Sequence, residues 1–221
     1  MNFQGGNNKG NPEFYKLAFP FIKDNDLVLN LGCGLKFVFE ENLSKERSVT
    51  ITSVDLLRIS EKPPFIKELI KQSVEDEFLL EKQFDVVTFF ELIEHIDKTD
   101  ILLKNCYKNL KDDGLLIFSL PNLASIYSRI ELLLGYQPHL LEVSNEVANF
   151  GSGIFGKLNN FKNEPLHHIR GITRRAMKEL VEYNRFKVLK IIGYDHHRFK
   201  KFFRCFPQIA TSNIFICKKQ K

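Results

Sequence analysis

The chain has 221 residues, a net charge of +5, and 43% hydrophobic against 27% charged residues, a balance that fills one large α/β core and excludes a disordered chain. No run of about 18 apolar residues occurs and no basic segment followed by an apolar one opens the sequence. Neither a transmembrane helix nor a secretory signal is therefore expected, and the cytoplasm is the expected location. Cys33, Cys106, Cys205 and Cys217 form no CxxC pair in a chain too long to need disulfide staples, so reduced thiols are expected.

Residues 1–12 (MNFQGGNNKGNP) are polar and rich in Gly and Asn and read as a disordered arm, followed by a single domain over 13–221. Strand-like apolar runs then alternate with helix-like segments, the pattern of a parallel sheet covered by helices. A first strand over 27–31 runs into a Gly turn and a helix, and a second over 49–54 ends at Asp55. A short third strand is expected near 71–74, after a helix opened by Pro63-Pro64. The run 84–90 is almost wholly apolar and β-branched or aromatic, which marks a buried central strand. A helix over 100–110 is stopped by Asp112-Asp113-Gly114, and the next strand, 115–120, is cut off by Pro121.

Residues 124–134 have helical spacing, but from 135 to 166 the pattern breaks into Gly, Asn, Pro and aromatics. A stretch this long inside a compact domain reads as a lid or substrate insertion. An amphipathic helix over 173–183 follows, then a closing strand pair at 186–192 and 212–217. Basic clusters at 170–178 and 196–204, the second interleaved with Phe199, Phe202 and Phe203, fit solvated helix faces better than a grip on nucleic acid or an anionic headgroup.

The strongest local signal is Leu27-Val28-Leu29-Asn30-Leu31-Gly32-Cys33-Gly34. A buried strand enters a tight turn in which Gly32 and Gly34 remove side chains, so that a ligand can lie against the backbone near a helix N-terminus. About twenty residues later Asp55 ends the second strand, where a carboxylate can accept both hydroxyls of a ribose. A GxG turn alone is a weak signal; the turn, the acid and their strand contexts together are much stronger.

These residues resemble the class I S-adenosylmethionine-dependent methyltransferases, and the resemblance runs from about Leu27 to Cys217. It implies an α/β, Rossmann-like, doubly wound and mostly parallel seven-stranded sheet with an antiparallel last strand. It also implies S-adenosylmethionine as cofactor, held by Asn30, Gly32, Cys33, Gly34, Asp55, Leu56, Ser73, Val74 and Phe90. Ser73-Val74-Glu75-Asp76 ahead of Phe84-Asp85-Val86-Val87 matches the family's segment that borders the adenine. Ser119-Leu120-Pro121-Asn122 matches its strand-end Pro-Asn, and His168-Ile169-Arg170 its motif after the loop.

Three positions depart from the family pattern. Asn30 replaces the usual acid before the glycines, Lys36 the usual third glycine, and Ser73 the usual adenine-binding Asp. Asn30 keeps an acceptor carbonyl but carries no charge, and Ser73 accepts more weakly than a carboxylate. Lys36 is tolerable within the helix if it points outwards. The departures motivate one reading outside catalysis, a partner protein that retains only the fold. A hydride-transferring dehydrogenase is disfavoured because no third glycine follows the turn.

The segment Phe89-Phe90-Glu91-Leu92-Ile93-Glu94-His95 leaves the fourth strand. If it is helical, Glu91, Glu94 and His95 share an arc of roughly 100°. Carboxylates crowded with an imidazole at a strand's C-terminal end are separated by water, protonated, or bound to a cation such as Mg²⁺, Mn²⁺ or Zn²⁺. The plainer alternative is a structural Glu-His pair that orients the loop. With His168 as a distant fourth ligand, the set Glu91, Glu94, His95 and His168 is similar to the metal sites of small-RNA 2′-O-methyltransferases. Its first three members are similar to those of the ubiquinone-biosynthesis O-methyltransferases. Without a metal, His168 or His95 is the candidate general base.

The long insertion, including Arg129-Ile-Glu-Leu-Leu-Leu-Gly135, looks like that of bacterial methyltransferases of glycan, lipid or quinone metabolism. The expected acceptor is a small-molecule, sugar or lipid-linked hydroxyl. An RNA ribose 2′-hydroxyl is the alternative.

Overall fold

The computed structural model describes residues 11–57, 59, 61–158, 165–195 and 200–221. Most of the expected arm (1–10), part of the insertion (159–164) and the first part of the second basic cluster (196–199) lie outside the described residues.

Seven strands form one sheet: β1 (Leu27–Leu31), β2 (Thr50–Asp55), β3 (Glu68–Lys71), β4 (Phe84–Phe89), β5 (Leu110–Pro121), β6 (Phe186–Tyr194) and β7 (Ser212–Lys219), in the order β3-β2-β1-β4-β5-β7-β6. Strands β1 to β5 pair in parallel, and β7 runs antiparallel to both its neighbours, β5 and β6. The fold is the Rossmann-like α/β class expected, with the antiparallel last strand in place. The chain winds outward from β1 to β3, then returns to place β4 on the other side of β1. That reversal opens a crevice beyond the carboxyl ends of β1 and β4, where open α/β sheets bind ligands.

Both faces are covered, which is why β1 and β4 read as largely apolar runs, interrupted by Asn30 in β1 and by Asp85 and Thr88 in β4. On one face α3 (Thr99–Asn109) and α6 (Arg174–Tyr183) bury Leu102, Leu103, Cys106, Met177 and Val181 against Leu29, Val87 and Phe118. On the other, α1 (Pro12–Tyr15) and α2 (Val38–Glu46) bury Phe14, Phe39 and Leu43 against Val28, Ile51 and Val86. Asn11 caps α1 by accepting from the Glu13 N–H, and its side chain donates to the Tyr194 hydroxyl (2.7 Å). The ordered domain thus begins before residue 13, because Phe14 has a core position to fill.

Several boundaries differ from expectation for physical reasons. No helix follows Pro63-Pro64: the Ile66 N–H bonds the Pro63 carbonyl in a turn that buries Ile66, and β3 begins at Glu68, earlier than expected, in register with β2 from Thr52. The Asp112-Asp113-Gly114 turn is a bulge inside β5, at the register jump opposite Phe84 and Val86, so the strand starts at Leu110. The aperiodic insertion after α4 (Ile126–Leu133) contains one short helix, α5 (Gly153–Leu158), and the Phe202-Phe203 stretch forms α7 (Lys200–Cys205). All four cysteines are free. Among the described residues no helix is long and apolar enough to cross a membrane.

Candidate active site

The glycine turn leaves β1 with Gly32 at φ 74° and Gly34 at φ 62°, the left-handed region that an L side chain rarely adopts. A side chain at Gly32 would also strike Leu92, whose Cδ1 lies 3.0 Å from where a Cβ would stand, whereas one at Gly34 would project into open space. Asp55 faces the turn: its carboxylate accepts from the Gly34 N–H (2.8 Å) and the Leu57 N–H (2.9 Å), with the Cys33 thiol 3.7 Å away. The pre-formed turn and the acid that a ribose would meet are therefore already joined. Burial, followed by the charges of Glu40 and Asp55, pushes the Cys33 thiol far up, so it is a packing group and not a nucleophile.

The remaining cofactor candidates differ in their surroundings. Leu56 is exposed and Val74 is buried at the rim of the core. The Ser73 hydroxyl accepts from the Glu75 N–H (3.2 Å), and Asn105 holds the same loop through the carbonyls of Val74 and Asp76. Phe90 packs among aromatic rings, 5.1 Å from Tyr15 and 4.7 Å from Phe39 between centroids. Lys36 is exposed, as expected, but lies in the turn before α2 and not within the helix. Asn30 is buried with both amide ends engaged: Nδ2 donates to Glu40 Oε1 (2.7 Å) and Oδ1 accepts from the Thr88 hydroxyl (2.8 Å).

Beyond β4 the segment is not the continuous helix that the i, i+3, i+4 spacing assumed. Glu91 sits at φ 47°, and a single 3₁₀ turn covers Ile93–His95. The Ser119 hydroxyl accounts for this: it donates to Glu91 Oε1 (2.8 Å) and accepts from the Glu91 N–H (3.0 Å), which pulls Glu91 toward β5. Glu94, His95 and His168 do come together, their ligand atoms all within 4.8 Å of one another, and Glu91 stands outside that group.

The distant His168 arrives through the backbone. The N–H groups of Ile169 and Arg170 both donate to the Glu94 carbonyl, at 3.0 and 3.1 Å. The Glu142 carboxylate accepts from the N–H groups of Leu166 and His168, so the insertion holds this segment from its other side. His168 Nδ1 lies 2.9 Å from the Leu140 carbonyl and His95 Nδ1 3.0 Å from the His167 carbonyl. A carbonyl only accepts, so both Nδ1 atoms carry the proton and both Nε2 atoms keep a lone pair. This is the outer-shell pattern of metal-binding histidines.

Electrostatics concentrate at this point. Both Glu94 oxygens are buried without a hydrogen-bond partner. Burial, together with the charge of Glu91, pushes the Glu94 carboxyl well above the usual carboxylate range. Desolvation by surrounding protein atoms raises Glu91 to about 7 against the opposing Ser119 bond, although part of the residue reaches solvent. Burial lowers both His95 and His168, which keeps them neutral. Two buried oxygens without donors, grouped within 4.8 Å with a ligand atom from each of two neutral imidazoles, fit a divalent cation. Sequence reasoning missed Glu40, Leu140 and Glu142, which carry no local motif, and read Ser119 only as part of the strand-end Pro-Asn motif; each acts through a contact across the fold.

The methyltransferase domain profile matches residues 6–191. The chain belongs to the methyltransferase domain family. Its fold and glycine turn are those of the class I S-adenosylmethionine-dependent methyltransferases. Among curated relatives, the ubiquinone biosynthesis O-methyltransferase of Idiomarina loihiensis is 34% identical over 104 residues, 43% of this chain and 42% of that protein. The (S)-coclaurine N-methyltransferase of Papaver somniferum is 36% identical over 105 residues, 43% of this chain and 29% of that protein. The methyltransferase domain thus aligns with less than half the length of these relatives. A solved S-adenosylmethionine-dependent methyltransferase from Archaeoglobus fulgidus shares the fold with a TM-score of 0.63 and 19% identity, covering 94% of this chain and 92% of its own.

Proposed function

We propose that this methyltransferase transfers the methyl group of S-adenosylmethionine to a hydroxyl of a small molecule, a sugar or a lipid-linked glycan. The observation that carries the reading is the Glu94, His95 and His168 cluster beside the glycine turn, with unpartnered carboxylate oxygens and two fixed imidazole lone pairs. Methyl transfer is an in-line displacement in which the sulfonium is already a good leaving group. The protein has to align the acceptor, exclude water and take up the acceptor's proton. Asp55 and the turn around Gly34 hold the adenosine half, with Leu56, Ser73 and Val74 at its border.

Glu94, His95 and His168 would hold a divalent metal, while Glu91, hydrogen-bonded to Ser119, stands outside the group. Such an ion lowers the pKa of a coordinated hydroxyl. Without an ion, the Nε2 atoms of His95 and His168 are neutral acceptors for the hydroxyl proton; with one bound, those lone pairs are taken up as ligands. The insertion covers this side of the crevice and sets His168 through Leu140 and Glu142. The same donor cluster suits an RNA ribose 2′-hydroxyl, the second reading, which a steep salt dependence of RNA binding would favour.

The test is calorimetry with S-adenosylmethionine and S-adenosylhomocysteine, followed by methyl transfer to catechols, sugars and short RNAs before and after exhaustive chelation. Binding with transfer to a vicinal diol or catechol supports the proposal. Binding of neither nucleoside at millimolar concentration supports a non-catalytic partner protein. Full activity after chelation removes the metal and leaves the histidines as bases.

A further inference from the structure

Beneath the glycine turn lies a second carboxylate that no motif announces. Glu40 projects from α2 into the space under β1 and is completely buried. Its Oε1 accepts from Asn30 Nδ2 (2.7 Å) and from the Ser53 hydroxyl (2.9 Å), while its Oε2 is buried with no partner. Asn30 stands where a carboxylate is usual, and its amide is turned so that its donor end meets Glu40.

We infer that Glu40 is the second carboxylate of the cofactor pocket, supplying from α2, through Asn30, the negative charge that position 30 lacks and so favouring the cationic methionine end of S-adenosylmethionine. The inference rests on the reading of the Gly34–Asp55 crevice as the cofactor pocket. The groups whose charges interact with Glu40 are Asp55 on β2, Cys33 in the turn and Tyr15 on α1; none of them is cationic. Among the described residues no lysine or arginine is hydrogen-bonded to either oxygen. Burial holds the Glu40 carboxyl above its ordinary value against the Asn30 and Ser53 bonds, the condition of an acid awaiting a positive partner. The Asn30 amide and the Ser53 hydroxyl account for Oε1, and among the described residues no hydrogen bond accounts for Oε2. S-adenosylmethionine brings a sulfonium and an ammonium, S-adenosylhomocysteine the ammonium alone, and adenosine neither.

The full-length chain and Glu40→Gln are titrated calorimetrically with all three ligands. The substitution is expected to weaken S-adenosylmethionine by about tenfold or more, S-adenosylhomocysteine by less, and adenosine by no more than about twofold. A purely structural role would lower all three equally; that result, or no change in any of them, overturns the inference. The double variant Asn30→Asp/Glu40→Gln moves the carboxylate back to β1 and is expected to regain most of the S-adenosylmethionine affinity; failure to regain it while adenosine still binds overturns the inference. If Glu40→Gln does not fold, the wild-type chain decides: S-adenosylmethionine is expected to release more protons on binding than S-adenosylhomocysteine does, and equal release overturns the inference. A wild-type chain that binds none of the three removes the pocket reading as well, whereas normal binding with an unmoved Glu40→Gln profile removes the inference alone.

Discussion

The two halves of the crevice solve opposite problems. Around the glycine turn, both Asp55 oxygens already accept backbone N–H groups, and the turn keeps its shape without a ligand. In the other half, Glu94 keeps two buried oxygens without a donor, and a ligand atom from each of His95 and His168 lies in one group with it, all within 4.8 Å. The first half is pre-organised by the backbone; the second is incomplete until a proton, a cation or a substrate enters. A satisfied carboxylate defines a shape, and an unsatisfied one defines a demand.

That contrast is open to direct attack. The largest effect is expected from Glu94→Gln, which should lower methyl transfer on the order of 100-fold or more while leaving S-adenosylhomocysteine affinity nearly intact. A parallel loss of cofactor binding would show that the two halves are not separable. Asp55→Ala should do the reverse and weaken cofactor binding by about 1.5–3 kcal/mol, from loss of charge-assisted hydrogen bonds. An unchanged calorimetric affinity would mean that the ribose sits elsewhere.

A smaller effect is expected in the pH dependence of stability. Glu40, Glu91 and Glu94 are all raised by burial from an ordinary value of 4.5, Glu91 to about 7. The folded state therefore holds protons that the unfolded chain has released, so this contribution is complete below about 4.5 and is lost as pH rises toward 7 and beyond. Thermal melts of the ligand-free protein should show Tm falling through that window, with Glu94→Gln flattening the fall. A Tm rising across it would contradict the raised carboxyls of Glu40, Glu91 and Glu94. Smallest is Thr173→Ala, which removes the hydroxyl that accepts the Ala176 N–H at the start of α6 and should cost about 1 kcal/mol, read as a Tm shift with cofactor affinity unchanged.

The sheet was legible because β1 and β4 are buried on both faces, and such strands write themselves as mostly apolar runs. The edge strand β3 is partly exposed and carries no such run, so its place depended on pairing with β2, and the nearby prolines suggested a helix that does not form. Asp55 was legible from its distance to the glycines. Glu91 was misread as a helical neighbour of Glu94, because the spacing rule assumes a regular helix and the Ser119 hydroxyl imposes a left-handed residue instead. His168 could be named from its motif, but the carbonyls of Leu140 and His167 that orient the imidazoles could not, since any residue type supplies a carbonyl. Glu40 escaped because its meaning depends on the phase of α2 against β1, which no local pattern encodes.

Leu92 lies over Gly32 with no room for even a methyl group between them. It is also the residue between Glu91 and the 3₁₀ turn that carries Glu94 and His95. A side chain at position 32 therefore requires Leu92 to give by a few tenths of an ångström, at a residue that joins the glycine turn to the segment carrying Glu94 and His95. The chain can vary its acceptor through the insertion far more freely than it can vary this one hinge of contact.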